Sequence, residues 1–251
     1  MKLFMLKLLD TFAGIGGFSY AAERIVGGFE TVQFVEINPF CQKILCKHWP
    51  LVPIHDDITT FQPTIGMADV ITGGFPCQDI SNAGRQAGIK EGTRSGLFYQ
   101  LMRIIRLVQP RYVVLENVAA ITSNGLDIVL RSLAEAGYDS EWACIRASDL
   151  GACHRRDRWW LIAYTNGKGT QGLRPERELR EAGEEITPKW RISPELLSPA
   201  WRSYISEPLL CRGDDGLSNR VDRLKSLGNS VVPQVAAIPL LRVRELHEKS
   251  T

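Results

Sequence analysis

Three stretches of the 251-residue sequence carry groups that could do covalent or acid–base chemistry. The first is GGFPCQDIS, residues 73–81, where Cys77 stands between Pro76 and Gln78 just past an apolar run. It opens a loop spaced by Gly84, Gly88, Gly92 and Gly96, in which Arg85, Lys90 and Arg94 face a single Glu91. Thiolate is the reactive form of cysteine, and an exposed, electropositive setting favours it, so this segment points to nucleophilic addition. The second is ENV, residues 116–118, closing the apolar run RYVVLENV. A carboxylate at the end of a buried strand is costly unless it is bonded or used, and a capping role for Glu116 or Asn117 is the plainer alternative. The third is HRRDR, residues 154–158. A solvated charge run is its ordinary meaning, yet Arg156 and Arg158 share one face of an extended segment leading into RWWLIAY.

A second group of residues suits a bound nucleoside. DTFAGIGGF, residues 10–18, is a glycine-rich turn after a strand, where the backbone can approach a ligand closely. Its glycines, Gly14, Gly16 and Gly17, do not match the dinucleotide fingerprint, and the Lys-Ser/Thr of a phosphate loop is missing. Glu36 ends the next apolar run, the position from which an acid typically holds ribose hydroxyls. Asp57 follows the next short segment and could accept from an adenine amino group. Together they suggest a nucleoside-bearing cofactor without a polyphosphate.

These residues need a scaffold that brings strand ends together. The runs KLLDTF, TVQFVEI, ADVITGG, RYVVLENV, EWACIRAS and RWWLIAY read as strands. Helical patterns lie between them at residues 18–28, 39–49, 97–108 and 127–136, with Asn38 as N-cap and Pro39 at the first position of the second helix. The alternation predicts an α/β fold with a doubly wound, mostly parallel sheet, whose ligands bind beyond the carboxyl ends of strands. From Thr165 the composition turns rich in Pro and Gly with mixed charges and poor periodicity, which predicts a small insert. Regularity returns near Arg220, and residues 233–247 read as a C-terminal helix.

Composition sets outer bounds. Hydrophobic residues at 44% and charged residues at 23% are ordinary for a globular protein, which excludes dominant disorder. A net charge of +2 excludes a broadly basic, histone-like surface but not a local positive groove. No apolar run is long enough for a membrane span, and MKLFMLKLLD reads as the lead into a buried strand rather than a signal peptide. None of the six cysteines forms a C-x-x-C pair, so no metal site is expected and reduced thiols in a cytoplasmic protein are the default. Cys41, Cys46 and Cys144 read as small buried hydrophobes.

Taken in order, these motifs resemble those of the DNA cytosine-5 methyltransferases that use S-adenosylmethionine. The likeness covers about residues 7–164 and 214–240. DTFAGIGGF resembles the family's cofactor loop, GGFPCQDIS its catalytic loop, ENV its glutamate motif and HRRDR its arginine motif. GNSVVP, residues 228–233, resembles the closing cofactor motif. The resemblance implies a Rossmann-like methyltransferase fold in which residues 1–164 bind cofactor and carry the chemistry. Residues 165–213 would form a small target-recognition region, and residues 214–251 would return to the catalytic domain.

It also implies roles. Cys77 would add to C6 of a flipped cytosine, Glu116 would bond the N3/N4 edge, Arg158 would contact O2 and Arg156 would help order the site. Phe12, Gly14 and Gly17 would line the cofactor, Glu36 would take its ribose, Ile37 would pack on adenine, and Asp57 and Ile58 would address the adenine edge. Pro76, Leu97, Asn229 and Val231 are further cofactor positions, and Ser81, Arg85 and Arg94 would contact DNA phosphates. S-adenosylhomocysteine would be the product and double-stranded DNA the partner. The chain would act as a monomer, either as an orphan enzyme or paired with a restriction endonuclease. An RNA cytosine-5 methyltransferase and a non-catalytic DNA-binding relative are the competing readings. Three departures stand out. His154 replaces the usual Gln, and the insert is short. The arginine that braces the recognition region is blurred, with Arg220 or Arg223 as candidates. Within the insert, Arg174, Arg177, Arg180, Lys189, Arg191 and Arg202 are nearly balanced by Glu176, Glu178, Glu181, Glu184 and Glu185.

Overall fold

The computed structural model describes residues 5–76, 96–152, 154–165, 190 and 226–250. Cys77, Ser81, Arg85, Arg94 and nearly all of the expected recognition region therefore lie outside the described residues.

Seven strands form one sheet: β1 (Leu6–Thr11), β2 (Phe29–Val35), β3 (Ile54–His55), β4 (Val70–Gly74), β5 (Tyr112–Val118), β6 (Asp139–Arg146) and β7 (Asp157–Tyr164). Their order is β3-β2-β1-β4-β5-β7-β6. The pairs from β3 to β5 are parallel, and β7 runs antiparallel to both its neighbours. The sheet is thus mostly parallel, as the alternating pattern predicts, with one reversed strand. The central strand β1 is buried at every position but Lys7, as expected for a strand covered on both faces.

The alternation of side chains along the strands divides the described interior into two large cores, with a small third cluster of Ala13, Phe34 and Leu45. Trp159 belongs to one and Trp160 to the other. On one face, Leu9, Ile71, Val113 and Leu115 pack with Phe98, Leu101, Met102 and Ile105 of α3 (Leu97–Val108) and Val129 and Leu133 of α4 (Leu126–Glu135). On the other face, Leu8, Val70, Val114 and Ile162 pack with Phe18 of α1 (Gly17–Tyr20). Ala21 and Ala22 of the π-helical segment Ala21–Val26 join them, as do Val235, Ile238 and Leu240 of α5 (Pro233–Glu248). Trp190 packs against this second core.

The element boundaries show what the sequence pattern missed. The helix expected over 18–28 begins at Gly17 and turns into a π-helix, where Gly27 N–H reaches back five residues to the Ala22 carbonyl. Gly27 then ends it at a φ of 75°, a conformation glycine adopts without strain. The second strand lies two residues earlier than TVQFVEI, and the two-residue β3 has no sequence signal. The helix α2 (Pro39–His48) starts as predicted, with the Asn38 side chain accepting from Phe40 N–H at 2.9 Å. Among the described residues no helix is long and apolar enough to cross a membrane.

Candidate active site

At the carboxyl ends of β1, β2, β4 and β5 lies a cavity of about 530 Å³. It is lined by Phe12, Gly14, Glu36, Ile37, Asp57, Ile58, Pro76, Leu97 and Asn229, all expected at a cofactor, together with Glu116, Arg156 and Arg158. Two widely separated motif groups therefore meet in one space.

The side that carries the residues expected at a cofactor is built on main-chain donors. The chain leaves β1 through Phe12, at a φ of 52°, and Gly14, at 56°, which bends the backbone toward Glu36. Glu36 is buried, and its carboxylate accepts Gly14 N–H at 2.7 Å through Oε2 and Asn38 N–H at 2.8 Å through Oε1. Each carboxylate oxygen keeps a second lone pair for a hydroxyl donor. Ile37 is 70% exposed, an apolar side chain left uncovered at the cavity rim. Asp57 accepts Thr59 N–H at 2.8 Å, which holds its carboxyl below the usual carboxylate range.

The opposite side is built on charged side chains. Glu116 is buried at the end of β5, and its Oε1 meets Nε of Arg158 on β7 at 3.0 Å. Burial pushes its carboxyl up from the ordinary value, while the guanidinium groups of Arg158 and Arg156 oppose that shift. A Cβ at Gly74 would stand 3.2 Å from Glu116 Oε2, a tight contact that would press on this carboxylate. Arg156, at a φ of 35°, reaches across to the segment before α5 and donates to the carbonyls of Gly228 (2.9 Å) and Ser230. It thereby fixes the stretch that presents Asn229. Asn117 also lines the cavity, and its Nδ2 donates to the Phe75 carbonyl at 3.1 Å, two residues before Cys77.

Gly17 and Val231 are in contact but not in this cavity. A Cβ at Gly17 would stand 2.6 Å from Val231 Cγ2, and both residues line a neighbouring cavity of about 560 Å³ with Trp49 and His154. Arg156 and Ser230 line both spaces. Sequence reasoning missed Cys41 and Ser226. Of the three cysteines expected to be small buried hydrophobes, Cys41 is buried while Cys46 and Cys144 are exposed. Cys41 lines the first cavity with Sγ 3.5 Å from Ser226 Oγ. Its place in the first turn of a helix that starts just after Glu36 was the available signal. Among the described residues no cluster of His, Cys, Asp and Glu is suited to a metal ion.

Comparison with solved structures gives the fold. The Dnmt2 methyltransferase of S. pombe aligns at a TM-score of 0.54 and 23% identity, covering 67% of this chain and 53% of that one. A protein encoded within a prophage of E. coli aligns at 0.51 and 25%, covering 64% and 47%. Among curated proteins, the type II methyltransferase M.CviJI of Paramecium bursaria Chlorella virus IL3A is 38% identical over 160 residues, 62% of this chain and 42% of that protein. The type II methyltransferase M.HhaI of Haemophilus parahaemolyticus is 32% identical over 172 residues, 67% of this chain and 52% of that protein. The chain thus spans about half the length of the curated relatives it matches. The family profile described as C-5 cytosine-specific DNA methylase matches residues 6–198. With the motif order and the fold in agreement, this chain belongs to the C-5 cytosine-specific DNA methylase family.

Proposed function

We propose that the protein transfers a methyl group from S-adenosylmethionine to C5 of cytosine in a short DNA sequence. The observation that carries this reading is the shared cavity: Glu36 and the glycine turn on one wall, and the Glu116–Arg158 pair on the other. The donor set fits the cofactor. Glu36 would hold the ribose hydroxyls, Phe12, Ile37, Ile58 and Leu97 would enclose the adenine, and Asp57 would meet its amino group. Gly14 and Asn229 would line the remainder. Bound there, the cofactor supplies an electrophilic methyl group.

Cytosine C5 is a poor nucleophile until the ring is activated. The Cys77 thiolate would add to C6 and form a carbon–sulfur bond, pushing the ring electrons toward C5 and N3. Glu116 would give its proton to N3 and neutralise the charge that builds there, and burial favours the protonated carboxyl needed for this. Arg158 would hold the base O2 while keeping Glu116 in place. Once C5 carries the methyl group, a base would remove its remaining proton, the carbon–sulfur bond would break with Cys77 leaving as thiolate, and N3 would return its proton to Glu116. The target carbon is inaccessible in a stacked duplex, so the base is flipped into the cavity, at a cost of about a few kcal/mol. Ser81, Arg85 and Arg94 would hold phosphates, and residues 165–213 would choose the sequence.

The test is bisulfite sequencing of DNA from a methylation-deficient bacterial host expressing the full chain. Conversion-resistant cytosines at one short recurring sequence are expected. Full conversion with folded protein present would overturn the DNA reading, and resistant cytosines in host RNA alone would replace it with the RNA one.

A further inference from the structure

The turn that carries Asp57 and Ile58 is held from outside itself. Thr60 and Phe61 N–H both go to the Asp57 carbonyl at 3.1 Å, and Thr59 N–H goes to the Asp57 side chain at 2.8 Å. Thr59, Thr60 and Phe61 N–H are thereby committed within the turn, and its later carbonyls take donors from outside it. Arg103 of α3 supplies them. Its Nη1 donates to the Phe61 carbonyl at 2.9 Å, and its Nη2 donates to that of Ile58 at 2.8 Å and of Thr59 at 3.4 Å. Its Nε donates to Gln100 Oε1 at 2.9 Å, one helical turn back, which sets the plane of the guanidinium. Ile58 and Phe61 are buried in the same core as Phe98 and Met102, so the turn and α3 share packing as well as hydrogen bonds. Leu97, at the start of α3, lines the cavity with Asp57, Ile58 and Thr59.

We propose that Arg103 is a positioning residue for adenine recognition. By drawing three carbonyls toward α3 it leaves Asp57, Ile58 and Thr59 fixed along the cavity wall. This rests on the reading of that cavity as the S-adenosylmethionine site. Arg103 does not line the cavity; it acts through the turn. Only a planar fork of donors spans these carbonyls, and a lysine ammonium, a single point of charge, reaches fewer of them.

The test is calorimetric titration of S-adenosylhomocysteine and of 5′-methylthioadenosine, which keeps the adenosine and lacks the amino-acid end. Wild type, Arg103→Met and Arg103→Lys are compared, with Glu36→Ala as a reference and thermal midpoints recorded throughout. Arg103→Met is expected to weaken both ligands by the same factor, about tenfold, and Arg103→Lys by less. In turnover the KM for S-adenosylmethionine rises while kcat at saturation stays within about twofold. Wild-type affinity in the variants, with or without a lower thermal midpoint, would overturn the inference. So would a loss confined to S-adenosylhomocysteine. If Arg103→Met fails to fold, Arg103→Lys alone decides between these outcomes. Failure of the wild type to bind either ligand would instead overturn the cofactor reading itself.

Discussion

The two walls of the cavity are made by different means. On the cofactor wall, an acidic side chain is held by main-chain N–H groups of a bent turn, and its charge is met by donors the fold supplies anyway. On the other wall, a buried carboxylate faces a guanidinium brought from a neighbouring strand that runs the opposite way. The first arrangement offers hydroxyl acceptors and apolar contacts, as the proposed cofactor would need. The second stores an imbalance, because burial and the nearby arginines push the Glu116 carboxyl in opposite directions. Such opposed environments are where proton-transferring groups are tuned. The contrast predicts that substitutions on the first wall act on cofactor affinity and those on the second on turnover.

The largest effect should come from Cys77→Ala, with turnover falling by a factor on the order of 10³ or more while DNA affinity persists. Methyl transfer near the wild-type rate would remove the covalent step and break the contrast on its chemical side. Next, Glu116→Gln should cut kcat by about 10²–10⁴ and leave the cofactor KM little changed. Arg158→Ala leaves Glu116 without its partner, and the buried carboxyl takes up a proton, so the loss of stability should stay below the cost of a stranded buried charge, about 3–5 kcal/mol. The double variant Glu116→Gln with Arg158→Ala should recover much of that stability in denaturant unfolding and none of the activity. Recovery of activity would mean the pair is only a structural link between β5 and β7. On the other wall, Glu36→Ala should weaken cofactor binding about tenfold to a hundredfold, read by calorimetry, with kcat at saturation nearly unchanged. A fall in kcat without a change in affinity would place Glu36 on the wrong side of the comparison.

How much of this could be read from the residues follows the same division. A glycine turn, an acid at a strand end and a helix cap are local patterns, and Gly14, Glu36 and Asn38 stand where spacing put them. The strand runs were legible because strands buried on both faces read as near-continuous apolar runs, as in residues 112–115 of β5. What could not be read depends on tertiary distance. The ion pair of Glu116 with Arg158 needs the reversed strand β7 beside β5, and nothing in RWWLIAY specifies its direction. The grip of Arg156 on Gly228 and Ser230 spans more than 70 residues. Gly17 and Val231 share one motif logic with Gly14 and Asn229, yet a contact of α1 with the segment before α5 takes them to the adjoining space. The two-residue β3 is set by pairing with β2, not by its own composition.

A pH dependence sharpens the contrast at the foot of the cofactor wall. Asp10 at the end of β1 is fully buried, and its carboxyl accepts Ser19 Oγ at 2.8 Å, Ser19 N–H at 3.3 Å and Thr72 Oγ1 at 2.8 Å. These bonds tie the glycine turn's exit to β4. Burial outweighs them and pushes the carboxyl from 3.8 up to about 7. Between those values the folded chain holds a proton that the unfolded chain has released. Stability from this residue is therefore complete below 3.8 and is lost as pH rises toward about 7. Asp10→Asn keeps the neutral shape, and the Thr72 hydroxyl can rotate to accept from the new amide. At about pH 4 the variant should lie within about 1 kcal/mol of wild type. As pH rises from about 4 to about 7 the wild type should lose stability in denaturant unfolding faster than the variant, so the two curves converge or cross. Parallel curves would show that the Ser19 and Thr72 donors keep Asp10 ionised. In that case the base of the cofactor wall, like the wall itself, would be held by donors that never exchange a proton.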